Sequence, residues 1–440
     1  MDASYVVPTR VYGSTLLGFK TISKWMFLAG NVLFLVRIDL GVAKPTEYVY
    51  SLGLLFALIY ILTSPKWAKL SAETLSLVCV VVYAVLLGTA WLAFRHGIYF
   101  EISGIRLLLK LFLNVMVFVV VLIWFKEDKA FYKKMVLSLS VPYVFYFGFF
   151  VLPEDVKLRY LDAPDIAEGR FIGMTNGVGG IAFPIVEAFA VCYVMWLDAS
   201  LKRSHWRFPL AGMAIGFILL ELWSASRIGL AAMASCVCVG TLLYKRGTKG
   251  ELRGVGRRAV LFALVGGVIL YLGLQIGYWG FAEIAFLRII GSNEQGLSVV
   301  EMIQSAWGLL TDPTVNVRLG AFNYYKELVL ANPFVGMGVN YYERYAFEIG
   351  GEQLPPDTFL DSFIHGGILL VASMLLLLVK AVATIWRRTL AEPANSGADE
   401  LRTYRIAAAT ALAGNCVFAV FGGFPIYSLR FWVILAMCLA

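Results

Sequence analysis

The chain has 440 residues, of which 60% are hydrophobic and only 15% charged, and its mean hydropathy is +0.77. A soluble domain carries about 25% charged residues, so this composition excludes a simple soluble protein and points to the membrane. The net charge of +8 comes from basic residues lying between apolar runs, a pattern of membrane orientation that excludes nucleic-acid groove binding.

A membrane helix needs about 20 mostly apolar residues. Runs of that kind lie near 22–38, 46–63, 73–94, 107–125, 135–152, 174–197, 208–224, 227–244, 258–279, 363–383, 405–422 and 425–440. They predict an all-α polytopic protein of about twelve transmembrane helices. Arg37 and Asp39 crowd the end of the first run, and only Gly422-Gly423-Phe424-Pro425 separates the last two. The first run carries no small-residue cleavage site, so no cleavable signal peptide is expected. The halves share no repeated motif, which removes one signature of many secondary transporters.

Alternate loops carry Lys66 and Lys69, then Lys126, Lys129, Lys133 and Lys134, then Lys202, Arg203 and Arg207. The series continues with Lys245, Arg246, Lys249, Arg253, Arg257 and Arg258, and ends with Arg387, Arg388, Arg402 and Arg405. The positive-inside rule therefore puts these loops and both termini in the cytoplasm. The loop 153–173 and a long polar insertion over 280–363 then face outward. Residues 392–400 read as a cytoplasmic linker.

That insertion organises the chain. It separates 1–279, with nine predicted helices, from 364–440, with three. It holds many charges, large aromatics and two turns, Asn332-Pro333-Phe334-Val335-Gly336-Met337-Gly338 and Gln353-Leu354-Pro355-Pro356-Asp357. A connection of this length is functional or disordered. This one is too aromatic for disorder and is expected to fold as an outer cap. The six cysteines all fall in apolar runs and read as buried small hydrophobes rather than disulfide or zinc partners.

Chemistry at the outer surface needs charges that topology does not explain. Arg170 closes an acidic outer loop, Arg227 sits in the turn Ser224-Ala225-Ser226-Arg227-Ile228-Gly229, and Arg318 lies in the insertion. A guanidinium is permanently charged and its planar fork fits phosphate oxygens, so three of them at one face suit a lipid pyrophosphate. The plainer account is that each arginine anchors its helix at the interface. Arg227 resists that account most, because its neighbours are small and it stands on the side where basic residues are disfavoured.

Asp357, Asp361 and His365 are spaced by four and would share a helix face. A carboxylate or imidazole there could act on an acceptor hydroxyl as general base. Asp357, following two prolines, equally suits a helix N-cap, and His365 equally suits a buried structural histidine. Trp307, Tyr341 and Tyr342 are among the large aromatics of the insertion. Lys110, Glu187 and Glu221 lie within predicted spans, where they either line a translocation path or pair internally.

The order of these motifs resembles the O-antigen ligase and polymerase superfamily of bacterial membrane glycosyltransferases. An Arg opens a middle span, Ser-x-Ser-Arg-x-Gly follows two spans later, and a long outer loop carries an Arg and then Asn-Pro-x-x-Gly-x-Gly-x-x-x-Tyr. Pro-x-Asp-Thr-Phe-Leu leads into the next span, so the resemblance runs from about Arg170 to Gly367. It implies a GT-C-like helical fold in the bacterial inner membrane with a periplasmic active site. It also implies transfer of a glycan, with inversion and without a metal or other cofactor, from undecaprenyl pyrophosphate to a sugar hydroxyl. The acceptor would be lipid A core in a ligase, or another lipid-linked repeat in an O-antigen or exopolysaccharide polymerase, with a chain-length regulator as a partner. Arg170, Arg227 and Arg318 would then hold the pyrophosphate and meet its developing charge, and Trp307, Tyr341 and Tyr342 would stack on the sugars. The family's His-Asn-x-x-Leu is replaced here by Asp357-Thr358-Phe359-Leu360, which gives the acceptor role to Asp357 or His365 and tilts the reading toward a polymerase. The alternative reading is a transporter or flippase of lipid-linked glycans that uses Lys110, Glu187 and Glu221. A second rival is a non-catalytic envelope-assembly protein.

Overall fold

The computed structural model describes residues 9–33, 45–63, 71–96, 102–151, 178–224, 226–247, 325–326, 329–339, 358–391, 401–421 and 428–440. In chain order the helices are α1 Thr9–Leu33, α2 Pro45–Thr63, α3 Ala72–His96, α4 Ile102–Glu127 and α5 Lys129–Leu137, followed by a 3-10 helix, Val141–Phe150. Then come α6 Val178–Leu201, α7 Arg207–Ser224, α8 Arg227–Gly247, α9 Thr358–Ala391, α10 Arg402–Phe421 and α11 Leu429–Leu439. Among the described residues there is no strand, and eight helices are long and apolar enough to cross a membrane. The described residues are all-helical in the manner of a polytopic membrane protein.

Three expected spans differ from the helices found. The first, near 22–38, begins earlier, at Thr9, and it is not among the eight because Lys20, Lys24 and other polar residues dilute its apolar run. The expected span 135–152 is broken: α5 ends at Leu137, a turn covers 138–140, and Pro142 opens the 3-10 piece. Proline fixes φ and lacks an N–H, so it starts a helix more readily than it continues one. Of the last expected span, 425–440, the described part forms α11, Leu429–Leu439, of 11 residues. The apolar run 258–279 lies outside the described residues.

Packed neighbours build the bundle: α1 packs on α2, α3 on α9, α4 on α11, and α10 on both α6 and α8. Aromatic pairs seal the α4–α11 contact and join the 3-10 helix to α7. Phe118 meets Trp432 edge-on at 5.4 Å, Phe147 meets Phe217 at 4.9 Å, and Phe150 stacks on Trp223 at 5.6 Å. Large apolar side chains also point outward from the same helices, among them Leu55, Tyr83, Leu109, Leu242 and Val379. A helix that is apolar on both faces belongs in lipid.

Charges fix which helix ends lie together. Lys20 and Lys24 of α1 bind Glu127 and Asp128 at 2.5 and 2.6 Å, and Lys380 of α9 binds Glu73 of α3 at 2.6 Å. Tyr244 donates to Asp198 at 2.8 Å, and Arg402 reaches the Tyr244 carbonyl. These contacts gather the described parts of the basic segments at one end of the bundle.

Asp128 is the N-cap of α5 and accepts from the Phe131 amide at 3.0 Å. Burial pushes its carboxyl up, but the hydrogen bonds from Lys24 and the Phe131 amide, with the Lys24 charge, outweigh that and hold it below the usual range.

Among the described residues, a fully buried ion pair joins helices far apart in sequence. Glu187 of α6 and Arg430 of α11 are fully buried and joined, and Arg430 also donates to the Tyr143 hydroxyl and, at 3.0 Å, to the Leu139 carbonyl. Asn415 of α10 donates to the other Glu187 oxygen at 3.2 Å. Lys110 of α4 pairs with Glu47 of α2 at 2.8 Å. Two of the three intramembrane charges singled out in the sequence are therefore internal pairs.

Candidate functional site

At the opposite end from the basic segments, α9 is broken. Gly366 (φ −143°, ψ 15°) and Gly367 (φ 61°, ψ −159°) depart from helical geometry and divide α9 into 358–365 and a long membrane-crossing part. A break inside a membrane helix frees main-chain groups that must find partners within the protein. The loop 331–339 supplies them. The Met337 amide donates to the Ile364 carbonyl at 2.5 Å, the Gly338 amide to the His365 carbonyl at 3.0 Å, and the Ile368 amide to the Pro333 carbonyl at 2.9 Å.

The loop and the break can approach only because both lack side chains at the contact. Gly367 takes a left-handed φ that costs glycine nothing, and a Cβ on it would meet the Phe334 carbonyl. Gly88 of α3 completes the junction: a Cβ there would lie 2.6 Å from the Val335 oxygen and close to the His365 oxygen. Beside it, the Thr89 hydroxyl accepts from the Val339 amide at 3.2 Å and donates to Val85. Asn332 is held by Trp91 at 3.4 Å and Arg95 at 3.2 Å. The motif Asn-Pro-x-x-Gly-x-Gly is thus a backbone plug in a helix break.

The plug fixes the position of His365, which is buried. Its Nδ1 lies 2.8 Å from the Asp361 carbonyl and 3.3 Å from the Asp361 carboxylate, one turn earlier on the same face. A carbonyl only accepts, so Nδ1 carries a hydrogen and the neutral ring keeps Nε2 as its basic nitrogen. Asp357 immediately precedes α9 and lies outside the described residues.

A second element is the turn between α7 and α8. Ser226 is the N-cap of α8: its hydroxyl accepts from the Gly229 amide at 3.0 Å. Arg227 is therefore the first helical residue, where main-chain N–H groups and the helix dipole favour an anion. Glu221 of α7 is fully buried against this turn, and its carboxylate occupies the space that a side chain on Gly229 would need. Neither Glu221 oxygen has a hydrogen-bond partner among the described residues, although the Ser226 and Ser224 hydroxyls lie close to it.

Of the residues predicted from sequence, the described structure brings His365 together with Asp361 and places Arg227 at a helix N-terminus. Arg170, Arg318, Trp307, Tyr341 and Tyr342, with Asp357, lie outside the described residues. Sequence reasoning missed Arg95 and Arg430. Arg95 stands at the far end of α3 from the basic segments, the same exception that singled out Arg227, and Arg430 interrupts an apolar run as Glu187 does. No group of three or more His, Cys, Asp or Glu side chains placed to hold a metal occurs among the described residues. Comparison with known proteins finds no matching family model, curated protein or solved structure.

Proposed function

We propose that this chain is a membrane glycosyltransferase that moves a glycan from undecaprenyl pyrophosphate to a sugar hydroxyl. The observation that carries the reading is the plugged break in α9, which fixes an imidazole with its neighbouring carboxylate at the end of the bundle remote from the basic segments. A rigid break of this kind is tolerated where it lines a functional cavity, and it holds a catalytic group in one orientation. His365 takes the proton of the acceptor hydroxyl at Nε2, and Asp361 orients the ring and stabilises its charged form. The acceptor oxygen forms a bond to the donor's anomeric carbon as the bond to the pyrophosphate oxygen breaks. The leaving group is undecaprenyl pyrophosphate, whose charge is met by Arg227 and the N-terminus of α8, together with Arg170 and Arg318. The acceptor is a second lipid-linked repeat or lipid A core.

The transporter or flippase reading draws less support. Lys110 and Glu187, two of the three charges it needs, are held by Glu47 and Arg430. The test is reconstitution with an undecaprenyl-pyrophosphate-linked oligosaccharide, lipid A core being added or omitted, and products separated by size. Transfer that depends on core identifies a ligase, and a ladder without core identifies a polymerase. Lipid crossing the bilayer with no new product overturns the enzyme reading.

A further inference from the structure

The end of α3 remote from the basic segments carries an aromatic and cationic patch beside the plug. Trp91 and Phe94 meet there with ring centres 6.4 Å apart, and Arg95 follows in the last turn of the helix. Trp91 and Arg95 both donate to the side-chain oxygen of Asn332 in the plug loop, at 3.4 and 3.2 Å. All three side chains are nevertheless exposed, Phe94 to 86%, and the loop adds exposed Leu330 and Phe334 on either side of Asn332. Gly88, which packs against the His365 carbonyl, lies seven residues back along α3. Two helical turns, about 10 Å, therefore separate the Arg95 backbone from the plug that fixes His365.

A plain role accounts for part of this. A cation in the last turn suits the helix dipole, and Arg95 helps Trp91 to hold the loop. A guanidinium has five N–H donors, however, and the Asn332 bond engages one of them, so its fork keeps donors for a second acceptor. An exposed apolar surface that ends in a guanidinium at a membrane edge matches a lipid whose apolar chain ends in phosphate. We propose that this patch seats a polyprenyl pyrophosphate lipid. Its phosphate lies on Arg95, its isoprenoid chain runs along Trp91, Phe94 and Phe334, and its glycan extends toward His365. The identity of the lipid rests on the glycosyltransferase reading. The residues are new to that reading, since they stand on α3 and apart from the turn at Arg227.

The test places the photo-crosslinker p-benzoylphenylalanine at Phe94 of the full chain in detergent and supplies undecaprenyl pyrophosphate, undecaprenol or phosphatidylglycerol. Mass spectrometry reads the captured lipid. Undecaprenyl pyrophosphate should be captured roughly tenfold more than either of the others, the gain expected of a charge-assisted phosphate contact. Arg95→Gln, whose amide can still donate to Asn332, should lower that capture to the level of undecaprenol. The same crosslinker at Leu109, an exposed apolar position on α4, should capture all three lipids alike with or without Arg95→Gln, which shows that the variant folds. Equal capture of the three lipids at Phe94, or capture unchanged by Arg95→Gln, overturns the proposal. Equal loss at both positions reduces Arg95 to a prop of the loop and also overturns it. Selective, Arg95-dependent capture by a protein that transfers no glycan would keep this site and overturn the enzyme reading. Transfer without that selectivity would do the reverse.

Discussion

The Gly338 amide donates to the His365 carbonyl at 3.0 Å, although 27 positions of sequence separate the two residues. This bond and its two neighbours convert a helix break into a fixed junction. The junction's tightness makes its glycines sensitive. Gly88→Ala should destabilise the protein by about 1–3 kcal/mol, since its new methyl meets main-chain oxygens that cannot move aside. Gly212→Ala, where a methyl meets open space, should be neutral or stabilise by up to about 1 kcal/mol. Thermal unfolding in one detergent compares them. Equal effects would contradict the close approach described for Gly88.

The Glu187–Arg430 pair makes a different prediction, because breaking a buried pair strands a charge. Arg430→Met or Glu187→Met alone should cost about 3–5 kcal/mol, whereas the double variant should recover much of that loss. Unfolding of the four proteins forms a cycle that reads the coupling. Additive losses would show that the pair is not a unit.

Glu221 occupies the place of a Gly229 side chain, so the two positions should also couple. Gly229→Ala alone should lower stability by about 1–3 kcal/mol through overpacking. Adding Glu221→Ala should relieve the clash, and the double variant should unfold later than Gly229→Ala. A further loss in the double variant would mean that the carboxylate is not what fills this space.

Asp128 carries the pH prediction. Its folded-state carboxyl lies below its unfolded value, so its contribution is full above about pH 4–5 and is lost as pH falls through the usual Asp value of about 3.9 and below. Asp128→Asn should therefore lower the melting temperature at pH 7, and its difference from wild type should shrink toward pH 3. A constant difference across that range would remove the charge from the account and leave only the cap.

Much of this fold was legible. Runs near 73–94 and 208–224 became Ala72–His96 and Arg207–Ser224, because helix length and apolarity are properties of local sequence. The break at Gly366-Gly367 was not legible as a break, because what stabilises it is a loop some thirty residues earlier. The lysines of α1 read as interruptions, whereas they bind carboxylates 104 and 107 positions away. At the site, the spacing of Asp361 and His365 and the turn around Arg227 could be read from sequence. That Glu221 rests on Gly229 could not, since a helix pattern does not say how closely the next helix approaches.

The most direct measurement is release of undecaprenyl pyrophosphate by purified, reconstituted protein given the glycan-linked donor and acceptor together. The account predicts release coupled to a new glycosidic product, unaffected by a metal chelator. It should fall steeply in Arg227→Lys, which keeps the charge but loses the guanidinium fork, and in His365→Ala. Donor left intact by wild type with every acceptor, or release equal in wild type and both variants, would contradict it.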